Sequence, residues 1–186
     1  EANALLASQA KERGLDFLYV VDSEGKVLAS ATPLGADPIR TDWAIVITAL
    51  GGSARVGLDG FSRAELAAIS PSLADRAKIQ LVAGSDTASW RPAEETRAML
   101  VHAASPLRMP GGTAGALVGG VLLNGNLDFI DTINSLIYRQ EGLPEGSQGT
   151  ATLFLDDLRI STNVKMFEGT RALGTRVSDE VSRAVL

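Results

Sequence analysis

One histidine, His102, and four arginines, Arg55, Arg91, Arg97 and Arg108, are the side chains of this sequence best suited to chemistry. A Ser-His-Asp triad would need His102 as its base. No Gly-x-Ser-x-Gly elbow accompanies it. A lone histidine in an apolar strand more often packs, hydrogen-bonds or touches a ligand than catalyses. A histidine metal site needs further ligands at a fitting spacing, and the sequence offers none. Arginine grips a carboxylate through two parallel bonds, so one or two of the four could anchor an acidic small molecule. The ordinary alternative for each is a solvated or salt-bridged side chain. Trp90, Trp43 and Tyr19 could line a pocket with apolar surface and a hydroxyl, or simply fill a core. The ligand-binding candidates are therefore Tyr19, Arg55, Trp90, Arg97 and His102, with no catalytic residue, metal or cofactor expected.

Other motifs are weaker. Gly111-Gly112-Thr113-Ala114-Gly115 is not a phosphate loop, because no Gly-Lys-Thr or Gly-Lys-Ser follows. The carboxylate pairs Glu94-Glu95 and Asp156-Asp157 are adjacent in sequence, so they point apart on a strand. Asp179-Glu180 suits a helix N-terminus. None argues for acid/base catalysis.

His102 lies within the stretch Arg97–Leu123, which holds two long apolar runs. Pro110-Gly111-Gly112-Thr113 between them favours a chain reversal, which predicts an antiparallel pair. Leu117–Leu123 has no polar residue and belongs at the centre of a sheet. Gly119-Gly120 within it weaken a strand. They make sense where a helix, another backbone or a ligand comes close, a tight helix contact being the favoured reading.

Around that hairpin the periodicity gives an N-terminal helix carrying Ala2, Leu5, Leu6 and Ala10 on one face, stopped by Gly14. Phe17–Asp22 and Lys26–Ser30 form a hairpin through Ser23-Glu24-Gly25. Trp43–Leu50 reads as a helix, although its β-branched run also allows a strand. Arg55–Leu58 is a short strand. Ser62-Arg-Ala-Glu65 is a capping box opening a helix to Ile69. Lys78–Val82 is another short apolar run. Asn124 and Asn126 can cap a helix ending before Gly142 and Pro144. Ala151–Asp156 and Leu158–Asn163 form a second hairpin that echoes the first, and a final helix starts near Ser178.

The chain has 186 residues, 45% apolar and 21% charged, enough for a sizeable core. Its net charge of -5, with no basic block, argues against a nucleic-acid partner. The absence of cysteine excludes disulfides, thiolate zinc and cysteine nucleophiles. No apolar run reaches the roughly 18 residues a membrane span requires. Both ends fall inside amphipathic patterns, which reads as a segment of a longer protein.

The sequence resembles the Cache family of extracytoplasmic sensor domains. The resemblance is carried by Leu15–Leu28, Met99–Pro106, Leu117–Asn126 with Ile130-Asp131, Gly149–Val164 and Arg171–Ser178. It implies an α+β fold: a PAS-like antiparallel sheet with an N-terminal helix and covering helices and loops. Residues 1–145 would form the sensor module. Residues 150–186 would start a second module or connect to the membrane. It further implies an input module of a bacterial histidine kinase or chemoreceptor, held between membrane helices in the periplasm and binding a small carboxylate or amino acid. A rival reading is a module that dimerises through the N-terminal helix or docks a periplasmic protein.

Overall fold

The computed structural model describes residues 1–37, 39, 42–82, 93–138, 149–166 and 169–177. The chain divides into two units: Glu1–Ala77 with Arg97–Leu122, and Lys78–Thr96 with Leu123–Leu186.

The first unit is built on a five-stranded antiparallel sheet. Its strands are β1 (Phe17–Asp22), β2 (Val27–Ser30), β3 (Arg55–Phe61), β6 (Ala98–Arg108) and β7 (Ala114–Leu122), in the order β2-β1-β7-β6-β3. The all-apolar β7 takes the centre, as its lack of a polar face requires. Pro110–Gly112 form a tight 3-10 turn between β6 and β7, and Gly111 and Gly112 take φ of 84° and 82° there. Only glycine accepts that backbone without strain.

Alternation divides the sheet into two faces. One buries Phe17, Tyr19, Val21, Leu100, Ala104, Ala116, Val118 and Leu122. Helices α2 (Ala44–Leu50), α3 (Arg63–Ile69) and α4 (Pro71–Arg76) supply Ile45, Val46, Leu66, Ile69 and Leu73 to the same core. Ser62 and Glu65 cap α3 reciprocally, so the capping box read from the sequence is formed. On the other face, helix α1 (Ala2–Glu12) packs by β1 and β2, where Asn3 Oδ1 accepts the Ser30 amide at 3.1 Å.

The second unit holds short strands β4 (Ile79–Gln80) and β5 (Glu94–Glu95), helix α5 (Leu127–Ile137) and the hairpin β8 (Thr152–Leu155) and β9 (Leu158–Thr162). Asn126 caps α5 by accepting the Phe129 amide at 3.0 Å. The echo between the hairpins extends to structure: each is antiparallel with one register shift. The last expected helix, from Ser178, lies outside the described residues. Among the described residues no helix is long and apolar enough to cross a membrane.

Candidate functional site

His102 sits on β6 opposite Gly57 of β3 on one side and Gly120 of β7 on the other. Phe17 of β1 pairs with Gly120 and completes the row. A histidine flanked by glycines in both neighbouring strands has room that any side chain would remove. A Cβ on Gly57 would stand 2.8 Å from Asp59 Oδ2 and 3.2 Å from His102 Nε2. One on Gly120 would stand 2.6 Å from Phe17 Cζ. The close approach expected at Gly119-Gly120 is real, but its agents at Gly120 are the Phe17 ring and the Val101 carbonyl, not a helix. At Gly119 they are Leu15, Leu18 and the Phe17 carbonyl.

The imidazole is 2% exposed, and its Nε2 lies 2.6 Å from Asp59 Oδ2. An ionised carboxylate only accepts, so Nε2 carries the proton and donates it. Trp43, just before α2, stacks on Phe61 at 4.5 Å between centroids. The His102 ring meets Trp43 and Phe61 edge-on at 5.6 and 5.2 Å. Two aromatic rings, an imidazole and a carboxylate thus converge where α2 packs on β3 and β6. Asp59 keeps 43% of its side chain exposed, so this cluster reaches the surface through its acid. Chemically it can hold a cation or a hydrogen-bond donor at Asp59 and an apolar group on the rings.

Asp59→Ala is expected to lower stability by about 1–2 kcal/mol, because a buried imidazole N–H loses its acceptor. Asp59→Asn, which can still present an oxygen, should lose less. Urea unfolding of both variants measures the difference.

The other sequence candidates are distributed as follows. Tyr19 is buried on the same face as His102, and its ring stacks on Phe17 at 5.9 Å. Burial pushes its phenol well above the ordinary value of 10.0, so it is neutral at physiological pH. Arg55 shares a cross-strand row with Ala104, Val118 and Tyr19, at the exposed edge of the sheet. Arg97 precedes β6 and is exposed. Trp90 and Arg91 lie outside the described residues. The structure therefore joins His102 to Asp59, Phe61 and Gly57, which the sequence reading passed over. The one available signal was the alternation Arg55, Gly57, Asp59, Phe61.

The second unit is laced by polar braces of its own. Arg171 forks onto both oxygens of Asp131 at 2.8 and 2.7 Å and donates to the Thr162 carbonyl at 3.1 Å. The guanidinium bond holds the Asp131 carboxyl below its ordinary value, and the same bond holds Arg171 above its own. Asn163 accepts from the Ala151 amide and donates to the Gly149 carbonyl. Arg159 donates to the Thr175 hydroxyl and the Arg176 carbonyl, with its guanidinium 5.4 Å from the Phe154 ring centre. These bonds tie the hairpin to the segments before and after it, and Asp131 ties the later segment to α5. Among the described residues no cluster of His, Asp and Glu could hold a metal ion.

The residues that do this bracing are the ones on which the family resemblance rests most. Residues 121–186 match the family model described as single cache domain 3. The match supports a Cache sensor domain. The five-stranded antiparallel sheet, N-terminal helix and packed helices agree with an α+β, PAS-like Cache fold. Cache domains are sensor modules and typically extracellular. No curated protein matches the chain.

Proposed function

We propose that this chain is the extracytoplasmic input domain of a transmembrane receptor, a histidine kinase or a chemoreceptor, and that it binds a small amino acid or carboxylate. The Cache match over residues 121–186 carries the reading. The site we assign is the cluster of Trp43, Phe61, His102 and Asp59. Its exposed acid attracts an ammonium group, and the Trp43 ring, 5.6 Å from the His102 ring that Asp59 holds, offers a cation–π surface. A plain dicarboxylate would meet the Asp59 charge unfavourably, so an amino acid fits better than a simple organic acid. Binding would favour one packing of α2 against β3 and β6. Such a bias is how a ligand shifts a two-state element.

A thermal-shift panel of amino acids and organic acids tests this. A ligand at 100 times its Kd adds about 2.7 kcal/mol. For a chain of this size that raises Tm by roughly 5–11 °C. Stabilisation by an amino acid, reduced in Trp43→Ala, supports the reading. A panel with no stabilising member refutes direct small-ligand sensing. The rival, a module that dimerises through α1 or docks a periplasmic partner, draws on Leu5, which is 63% exposed on that helix. It gains if the panel is silent and Leu5→Asp abolishes self-association or partner capture.

A further inference from the structure

Strand β3 is the last strand of the order β2-β1-β7-β6-β3, so one side of its backbone faces away from β6. The hydrogen-bond pattern says which groups. At the end of the β6–β7 hairpin the Met109 amide donates to the Thr113 carbonyl. The register from Leu100 to Arg108 is unbroken, so odd residues of β6 bond β7 and even residues bond β3. The even residues Leu100, His102 and Ala104 pair with Asp59, Gly57 and Arg55. The amides and carbonyls of Val56, Leu58 and Gly60 therefore point outward. Among the described residues no backbone partner outside the sheet receives them.

The side chains along this edge are apolar where apolar is unexpected. Val56 is 68% and Leu58 60% exposed, both on the face away from the core. Edge strands are usually blunted, since an exposed apolar edge templates further pairing.

We infer that β3 pairs antiparallel with β3 of a second copy, about a two-fold axis through Gly57, joining the two five-stranded sheets. An isologous contact must be self-complementary, and this register is. It sets Val56 opposite Leu58 of the partner subunit and Leu58 opposite the partner's Val56. Both residues carry outward backbone groups, so these are the hydrogen-bonded pairs. On the other face it sets Arg55 opposite Asp59 of the partner subunit, and the converse, giving two opposite-charge pairs. Gly57 meets the partner's Gly57 at the axis, a non-hydrogen-bonded pair where the chains approach most closely. The neighbouring registers that keep the backbone bonds, centred on Val56 or Leu58, lose the charge pairing. Asp59 holds His102 through Oδ2 and keeps 43% of its side chain exposed, so it can also meet the partner's Arg55, and that contact competes with an ammonium ligand at the same acid. This surface is distinct from α1 and does not depend on a ligand.

Sedimentation equilibrium of the full chain tests the proposal. A contact of one strand per copy is small, so the dimer should build up between ~10 µM and ~500 µM rather than at trace concentration. Val56→Asp and Leu58→Lys should each weaken it at least ~10-fold, and the exposed positions leave the fold intact. The double variant Val56→Asp with Leu58→Lys should return the dimer to within ~3-fold of the original, because each Asp then faces a Lys. Val56→Asp with Leu58→Asp should stay monomeric. A chain that is monomeric at ~500 µM overturns the proposal. So does a dimer indifferent to the double-Asp variant, or one that Asp with Lys fails to restore.

Discussion

Gly120→Val is expected to destabilise the chain by about 3 kcal/mol and to lower Tm by roughly 6–12 °C. A Cβ at this position would sit 2.6 and 2.8 Å from the Phe17 ring and 2.8 Å from the Val101 carbonyl oxygen. The ring has no exit, since Phe17 is 1% exposed. Valine gains strand propensity over glycine, but that is about 1 kcal/mol and does not offset the overlap. Gly119→Ala is the contrast. Its nearest neighbour would be Leu18 Cδ1 at 2.9 Å, the end of a flexible side chain, so it should cost far less. A double-mutant cycle separates the causes: Phe17→Ala should restore part of the loss in Gly120→Val. Chemical unfolding of the three variants gives the coupling. Equal losses at Gly119 and Gly120 would mean that the Phe17–Gly120 contact does not matter.

Gly174→Ala is expected to cost about 3–4 kcal/mol in the second unit, from backbone strain and a clash together. Gly174 has φ of 76°, and a Cβ there would lie 2.0 Å from the Gln80 carbonyl oxygen. The backbone on both sides is committed. Gly174 N–H donates to the Arg159 carbonyl, and the Gly174 carbonyl accepts from Val82. Relieving the clash must therefore lengthen one of these bonds. Amide exchange is the direct measurement: Val82 and Gly174 should lose at least ~100-fold in protection. Wild-type protection at both would contradict the close packing of this turn on β4.

Much of this architecture could be read from the residues because it is local. The two hairpins carry their turns in the sequence, with Asp22 accepting the Glu24 and Lys26 amides and Asp156 taking a positive φ of 54°. Ser62 and Glu65 announce a helix start that the structure builds in full. Strand β3 was legible only to Leu58, since Asp and Gly, the residues at 59 and 60, are depleted in strands. It runs on to Phe61 because β6 pairs with it residue by residue, and an edge strand tolerates a charge. The site was less legible for the same reason. His102 and Asp59 are 43 residues apart, and Asp131 and Arg171 are 40 apart. Nothing in local periodicity links residues at that separation. His102 could be singled out as odd, but its partner came only from the strand register.

The sensor reading stands or falls on binding. The most direct measurement is isothermal titration of the full chain with each amino acid and organic acid of the panel. Saturable one-to-one binding of an amino acid is expected, with Kd below about 1 mM and weakened at least tenfold by Trp43→Ala. Flat titrations across the whole panel at ~10 mM ligand would contradict it.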